Sequence, residues 1–291
     1  RITPMIEKIL NPLEYLPRLP LGEGIEVAIE WLRVHLSPVT RALSEVMQSL
    51  IVRMTDGLIW LPPLVLIILF SLIAWRLSNR SVAAFSFAGL ILIYNFGLWP
   101  AAMQTLSLVV LSAVVSICIG IPMGIAGARS ETFHRIVWPV LDLMQTLPAF
   151  VYLIPVVFFF RMGEVPAVMA TVVFAMPPVI RLTGLGIRQV PQELVEACGA
   201  FGTTEWQKLV KVQLPLAMPT IMAGVNQCIM LSLSMVVIAA MIGAPGLGTK
   251  VWGAIQRLNI GGGFESGLAV VVLAIILDRI TQNLQNKKIQ G

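Results

Sequence analysis

Long apolar blocks, each able to cross a lipid bilayer, limit what this chain can fold into more than any other feature. They lie near residues 58–75, 82–99, 102–127, 136–160, 165–184, 214–242 and 267–285. A helix needs about 20 residues to cross about 30 Å of hydrocarbon, and only helices and closed barrels satisfy their backbone polar groups there. Because the blocks lack the alternation of barrel strands, they predict an all-α integral membrane protein with about seven transmembrane helices.

The composition agrees with this fold class and argues against several functions. Charged residues make up 12 % of the chain, against roughly 25 % in soluble domains. The net charge of +5 does not indicate nucleic-acid binding, because the basic residues lie mostly at the ends of apolar blocks. The isolated His35 and His134 have no metal-ligand spacing, and no nucleophile–base pair is present. We therefore expect no covalent catalysis and no cofactor bound by this chain.

The chain divides into three predicted regions. Residues 1–56 form a tail whose first part is proline-rich and whose 25–53 stretch has helical spacing. Amphipathic helices on the membrane surface or against the bundle explain this pattern, and a soluble helical hairpin remains the alternative. Residues 57–285 form the transmembrane domain, and 286–291 a short C-terminal tail.

Basic residues at alternate connections predict the orientation. They are concentrated after the first, third, fifth and seventh blocks, at Arg76, Arg80, Arg129, Arg135, Arg188, Lys208, Lys211, Lys287 and Lys288. The positive-inside rule then places the N-terminus outside and the C-terminus in the cytoplasm, together with a loop over 186–213. We expect a multi-pass protein of the bacterial inner membrane.

That loop contains a polar segment with its own helical signals, residues 191–215, which we call the docking segment. Pro191 suits the start of a helix. Gly202 permits a sharp turn, and Thr204 with Gln207 predicts a capping box that opens a second helix. The sequence therefore predicts two short helices, set at an angle and offered to a partner's groove.

The docking segment resembles the cytoplasmic loop of ABC-importer permeases, whose pattern is E-A-A, three residues, G, nine residues, I-x-L-P. The matching positions depart conservatively at Cys198 and Val212. The resemblance implies ATPase-coupling roles for Glu196, Ala197, Cys198, Gly202, Val212, Leu214 and Pro215. The runs at 141–155, 174–183 and 213–227 resemble a narrower family, the permeases of glycine betaine/proline betaine and choline-type importers.

Membership of that family implies the type I ABC-importer permease architecture and a set of partners. These are a second permease copy, two cytoplasmic ATPase subunits that bind ATP and magnesium, and an extracytoplasmic substrate-binding protein. The implied function is import of betaine-like quaternary ammonium osmolytes by alternating access. Choline, carnitine, trimethylamine N-oxide or an amino acid such as methionine remain alternative substrates. A secondary transporter is a further alternative, but it would not need the docking segment.

Prolines and polar side chains inside the blocks suggest a translocation path. Pro139, Pro148 and Pro155 interrupt the fourth block, and the Pro177–Pro178 pair predicts a second break. Broken helices line pathways in many transporters, although prolines also kink spans for packing alone. The candidate path residues are Gln145, Pro148, Tyr152, Pro177, Asn226, Gln227, Met230 and Ser234.

Two of these polar features have alternative interpretations. In the sixth block, polar side chains either line the path or bond to neighbouring helices, and we expect the face of Gln227, Met230 and Ser234 to point toward a dimer axis. Asp142 in the fourth block either contacts substrate or pairs with Arg135 or Arg181.

Overall fold

The structure is a computed structural model that describes the backbone of residues 21–289 and the side chains of residues 22–282. The described part is helical, without strands. Its helices are α1 Leu21–Trp60, α2 Pro63–Leu77, α3 Arg80–Asn95, α4 Trp99–Arg129, α5 Glu131–Thr146, α6 Leu153–Phe160, α7 Glu164–Arg188, α8 Gln192–Ala200, α9 Glu205–Lys208, α10 Leu214–Ile238, α11 Leu247–Gln256 and α12 Ile260–Ile289. Short 3₁₀ segments occupy Ala149–Tyr152 and Ala239–Ile242, and a π segment occupies Leu209–Gln213.

Four helices in the described residues are long and apolar enough to cross a membrane by themselves: Trp99–Arg129, Glu164–Arg188, Glu205–Ile242 and Ile260–Gln282. Two bent pairs add up to two more spans, since α1 meets α2 at 103° and α5 meets the Ala149–Phe160 segment at 113°. The shorter apolar helix α3 covers most of the block predicted at 82–99. The all-α membrane class is confirmed, and the count of about seven spans stays a prediction.

The predicted tail boundary at residue 56 lies inside α1, which runs on to Trp60. Residues 1–20 of that tail lie outside the described residues. The C-terminal half of α1 packs on the bundle, because Met47 and Ile51 are buried in the main apolar cluster. The division into a tail and a transmembrane domain stays a prediction.

Helices α4, α7 and α10 form the centre of the bundle and approach closely through glycine. A Cβ at Gly124 of α4 would lie 2.7 Å from the Ile180 carbonyl oxygen of α7. A Cβ at Gly224 of α10 would lie 3.1 Å from the Pro178 carbonyl oxygen. Small residues let membrane helices pack backbone to backbone, and this packing replaces the hydrophobic driving force that lipid removes.

The fourth block is broken at Pro148, as predicted, but Pro139 lies inside α5 and Pro155 inside α6 without interrupting them. The predicted break at Pro177–Pro178 is wrong. Pro148 caps the 3₁₀ turn at the elbow between α5 and α6, where the chain changes direction. Pro177 and Pro178 instead lie buried inside the continuous helix α7. Close packing by α4 and α10 on both sides keeps α7 continuous, even though each proline removes one backbone hydrogen bond.

Candidate functional site

The docking segment lies at one end of the bundle, which we call the lower end and which also contains Arg129 and Arg188. Helix α8 ends at Ala200, and Gly202 then turns the chain in the left-handed region with φ of +71°. The Thr204 hydroxyl accepts a bond from the Gln207 backbone N–H at 3.2 Å, and Gln207 Oε1 accepts one from the Thr204 N–H at 3.0 Å. The predicted turn and capping box are both confirmed.

Leu209 anchors this segment to the bundle. Its side chain is fully buried in a cluster with Ile187 of α7 and Ala217 and Ile221 of α10. The guanidinium of Arg129, the last residue of α4, donates a hydrogen bond to the Glu205 carbonyl oxygen at 2.7 Å. Contacts with three central helices therefore fix the segment's position.

Charged side chains surround the anchor. Lys208 Nζ donates to Glu205 Oε1 at 2.6 Å, and this hydrogen bond lowers the pKa of the Glu205 carboxyl. The nearby positive charges of Lys208 and Arg129 lower that pKa further. Arg188 donates to the Gly127 carbonyl oxygen at 2.8 Å and lies 3.1 Å from Glu131 Oε1. These contacts tie the ends of α4, α5 and α7 to one another.

The exposed surface of the docking segment is unusually apolar for a polar loop. The side chains of Phe201 and Trp206 are 88 % and 67 % exposed, and Leu194 and Val210 are also exposed. The sequence analysis did not single out these four residues, although large apolar side chains in a loop of otherwise polar character could have indicated a contact surface. An exposed aromatic pair beside a rigid turn is typical of a protein–protein contact surface.

The residues predicted from the loop pattern are distributed over this surface and its base. Glu196 is exposed and accepts a hydrogen bond from Gln192 Nε2 at 2.8 Å. Ala197, Gly202 and Pro215 are exposed, and Cys198, Val212 and Leu214 are half-buried. Their coupling role stays a prediction.

The docking segment continues directly into the long helix α10. The π segment Leu209–Gln213 joins α9 to α10, so that Glu205–Ile242 forms one helix of 38 residues. Pro215 lies in the first turn of α10 and lacks an N–H, and the wider π turns before it accommodate its ring. The docking segment and α10 are therefore joined without an intervening loop.

The candidate path residues of α10 do not share one environment. Gln227 and Ser234 are exposed and Met230 is half-buried. Gln227 and Ser234 belong to an uncovered stripe at near-heptad spacing that does not include Met230. It consists of Leu216, Ala223, Gln227 and Ser234, together with Met241 in the 3₁₀ segment that follows α10. We call this stripe the α10 face.

Asn226 instead faces α12. Its Nδ2 donates to Asp278 Oδ1 at 3.0 Å, and its Oδ1 accepts from the Thr281 hydroxyl at 2.6 Å. Gln282 Nε2 also donates to Asp278. Of the two roles left open for Asn226, the structure supports bonding to a neighbouring helix. Sequence reasoning did not single out Asp278, although an acid inside an apolar block is itself a signal.

The other candidate path residues lie at the elbow or in α7. Gln145 and Pro148 are exposed, and Pro177 is buried. The Tyr152 hydroxyl donates to the Met144 carbonyl oxygen across the elbow, and its ring meets Phe174 of α7 edge-on at 5.7 Å. Asp142 pairs with Arg181 of α7, one of its two predicted partners. These contacts brace the elbow, so Tyr152 and Asp142 have structural partners here.

Within the described residues, no cluster of three or more His, Cys, Asp or Glu side chains is arranged to hold a metal ion.

Comparison with known proteins finds relatives that are named as permease proteins of transport systems. Residues 116–290 match the family model described as binding-protein-dependent transport system inner membrane component. The chain is 50 % identical to the glycine betaine transport system permease protein OpuAB of Bacillus subtilis, over 95 % of this chain and 98 % of that protein. It is 47 % identical to the glycine betaine/proline betaine transport system permease protein ProW of Escherichia coli, over 94 % of this chain and 77 % of that protein.

Among solved structures, an inward-facing form of the MetNI methionine ABC transporter has a similar fold. The TM-score is 0.58 at 20 % sequence identity, covering 63 % of this chain and 92 % of that one. At this identity the likeness concerns the fold alone.

Proposed function

Because the chain belongs to the family of inner-membrane components of binding-protein-dependent transport systems, we propose that it is the permease subunit of an ATP-driven importer of betaine-like quaternary ammonium compounds. The family consists of transport components, so the chain is a membrane transport subunit and not an enzyme. ATP and magnesium bind to a partner subunit in this proposal, and an extracytoplasmic protein delivers the substrate.

The observation that carries the proposal is the docking segment. Its exposed side chains Phe201 and Trp206 lie beside the Gly202 turn, and its base is fixed by Leu209. A cytoplasmic ATPase with an apolar groove is the partner that this surface fits. A secondary transporter has no use for such a surface.

The mechanism that we propose is alternating access driven through α10. Closure of two ATPase subunits around ATP displaces the docking segment, and the continuous helix Glu205–Ile242 carries that displacement into the membrane. The elbow between α5 and α6 moves together with α7, because Asp142 of α5 pairs with Arg181 of α7. Hydrolysis of ATP then returns the segment to its resting position.

Betaine-like substrates are proposed from the relatives, whose names specify glycine betaine and proline betaine. A quaternary ammonium group is recognised by aromatic faces, and we assign that selective recognition to the binding protein. The permease needs only a weakly polar path, and the exposed polar side chains of the α10 face, Gln227 and Ser234, suit it.

We further propose that two copies of this chain face each other across the α10 face in the bacterial inner membrane. The stripe is uncovered in the single chain, and it lies on the helix that continues from the docking segment. In the orientation favoured by the basic residues, the lower end and the C-terminus are cytoplasmic and the N-terminus is outside.

Uptake of radiolabelled glycine betaine tests the proposal. Membrane vesicles would contain this chain with its ATPase facing the inside, and the binding protein would be added to the outside. Uptake would be measured with and without ATP inside the vesicles. We expect uptake only when both ATP and binding protein are present. Uptake without ATP would overturn the importer class, and competition by choline, carnitine or trimethylamine N-oxide would rank the substrates.

A further inference from the structure

An apolar cavity of about 330 Å³ lies in the corner that α1 and α2 form with the bundle, and we call it the corner cavity. Met54 and Leu58 of α1 line it before the corner, and Phe70 and Ile73 of α2 line it after the corner. The rest of its wall consists of side chains of α3, α4 and α12. Because α1 meets α2 at 103°, the two helices diverge from their junction, and the cavity occupies the space between them.

The described side chains that line the corner cavity offer no nitrogen or oxygen atom to a ligand. All twelve belong to leucine, isoleucine, valine, methionine or phenylalanine. Water needs two to four polar partners, and an apolar cavity of about 150 Å³ stays dry and binds benzene or xenon instead. Side chains that face a void lose their dispersion contacts, so an apolar occupant stabilises such a wall. The corner cavity therefore suits an apolar ligand larger than benzene.

The corner cavity has a buried floor and a more accessible edge. Leu90, Met103 and Leu106 form the floor and are at most 6 % exposed. Phe70 and Ile73 at the edge are half-buried, so α2 does not close the cavity off. The remaining surface of α2 is apolar and exposed, at Leu64, Val65, Ile68, Leu69 and Leu72. Since lipid tails are as apolar as leucine, hydrocarbon is the medium that suits this side of the bundle.

We propose that the corner cavity binds one acyl chain of a membrane phospholipid, which joins α1 and α2 to α4 and α12. The inference requires only that the chain lies in a membrane, and it does not depend on the proposed substrate or orientation. An acyl chain that leaves the bilayer for this cavity has no hydrophobic gain, because both surroundings are apolar. It gains close contacts with a wall of twelve apolar side chains, so packing is the force that holds it.

Two other occupants fit less well. A second copy of this chain is proposed to meet the first across the α10 face, and α10 contributes none of the described side chains in the wall. A free fatty acid has the same apolar chemistry as a phospholipid tail. The bilayer supplies phospholipid in large excess, however, and the occupancy of a site increases with the concentration of its ligand.

The test uses the full chain in nanodiscs of phosphatidylethanolamine and phosphatidylglycerol. The probe is a phosphatidylglycerol with a photoreactive diazirine near the end of one acyl chain, and mass spectrometry of peptides locates the label. We expect label on Met103 and Leu106, because these floor residues are buried from lipid that only surrounds the bundle. Excess unlabelled phosphatidylglycerol should displace the probe, and excess palmitic acid should displace it less.

A variant that fills the corner cavity should exclude the acyl chain. Val110→Phe with Ile276→Phe places two aromatic rings in the wall. Val114→Phe with Ile275→Phe is the matched control, because Val114 and Ile275 lie on the same two helices, are 50 % and 36 % exposed, and do not line the cavity. Labelling of the floor should fall about tenfold or more in the filled variant, since close-packed side chains leave no room for the chain, and should stay unchanged in the control.

Thermal unfolding of the delipidated protein in detergent gives a second measurement that does not use the label. Added phosphatidylglycerol should raise the unfolding midpoint of the wild type, because a ligand that binds only the folded state stabilises it. The filled variant should lose most of this response and should unfold at a higher midpoint than the delipidated wild type. The control should respond to lipid as the wild type does.

Three results would overturn the inference. Label confined to exposed side chains such as Leu69 and Leu72 would mean that protein fills the corner cavity. Equal labelling of the floor in the filled variant and the control would place the acyl chain elsewhere. Displacement of the probe by palmitic acid but not by phosphatidylglycerol would make the ligand a free fatty acid. If the filled variant does not fold, the positions labelled in the wild type decide the question without it.

Discussion

At the scale of single residues, glycine positions control how closely the central helices approach. A Cβ at Gly124 would lie 2.5 Å from the Thr183 Cβ and 2.7 Å from a backbone oxygen of α7. Neither atom belongs to the flexible end of a side chain, so the helices themselves must separate. At Gly57 of α1, by contrast, a Cβ would meet nothing within 4 Å.

We therefore predict that Gly124→Ala destabilises the protein by about 1–3 kcal/mol, the usual cost of overpacking. Gly57→Ala should be neutral or stabilise by up to about 1 kcal/mol, because alanine is the better helix former. Thermal unfolding of the purified protein in one detergent measures both. An unchanged midpoint for Gly124→Ala would mean that α4 and α7 are packed less closely than the structure shows.

Gly202 has a different role, since a Cβ there meets nothing within 4 Å but φ is +71°. Gly202→Val should uncouple ATP hydrolysis from transport, because a β-branched residue is strained in this region and the turn must change. Gly202→Asn should retain most of the coupling. The number of ATP molecules hydrolysed per betaine imported is the measurement, and normal coupling in the valine variant would contradict the proposed transmission of motion through the docking segment.

At the scale of elements, Leu209 is the fully buried side chain that attaches the docking segment to the bundle. Leu209→Ala removes a fully buried side chain from the cluster with Ile187 and Ile221, and we expect a cost of about 2–5 kcal/mol. Its neighbour Val210 is 41 % exposed and serves as the control. Leu209→Ala should lower transport more than basal ATP hydrolysis, while Val210→Ala leaves their ratio unchanged. Equal losses of both activities in Leu209→Ala would show a general loss of folded protein instead.

The same elements show what the sequence could and could not predict. Local signals worked where a local interaction decides the structure: the Thr204–Gln207 capping box, the Gly202 turn and the break at Pro148 were all predicted. The Pro177–Pro178 break was wrong because neighbouring helices, which sequence does not show, hold α7 together. Phe201, Trp206 and the Asn226–Asp278 bond depend on which side chains remain uncovered or meet across the bundle, and only tertiary structure decides that.

At the scale of the whole molecule, the single chain leaves a coherent stripe uncovered on the helix that continues from the docking segment. A packed interface and a water-filled path between two copies make different demands on the α10 face. Packed faces bring Cα atoms to within about 6 Å, near enough for a disulfide, whereas a path holds them farther apart. Cross-linkers of two lengths therefore distinguish the two arrangements.

We predict that Ser234→Cys in a Cys118→Ser, Cys198→Ser background cross-links two copies in membranes. The buried Cys228 remains in place and is inaccessible. If the α10 face lines a path, a bis-maleimide joins the copies while an oxidant does not, and bound ATP changes the yield as the path opens. Val271→Cys on the exposed side of α12 is the control and should stay monomeric. Cross-linking through position 271 but not 234 would move the dimer axis to α12, and α10 would then carry motion from the docking segment without lining the path.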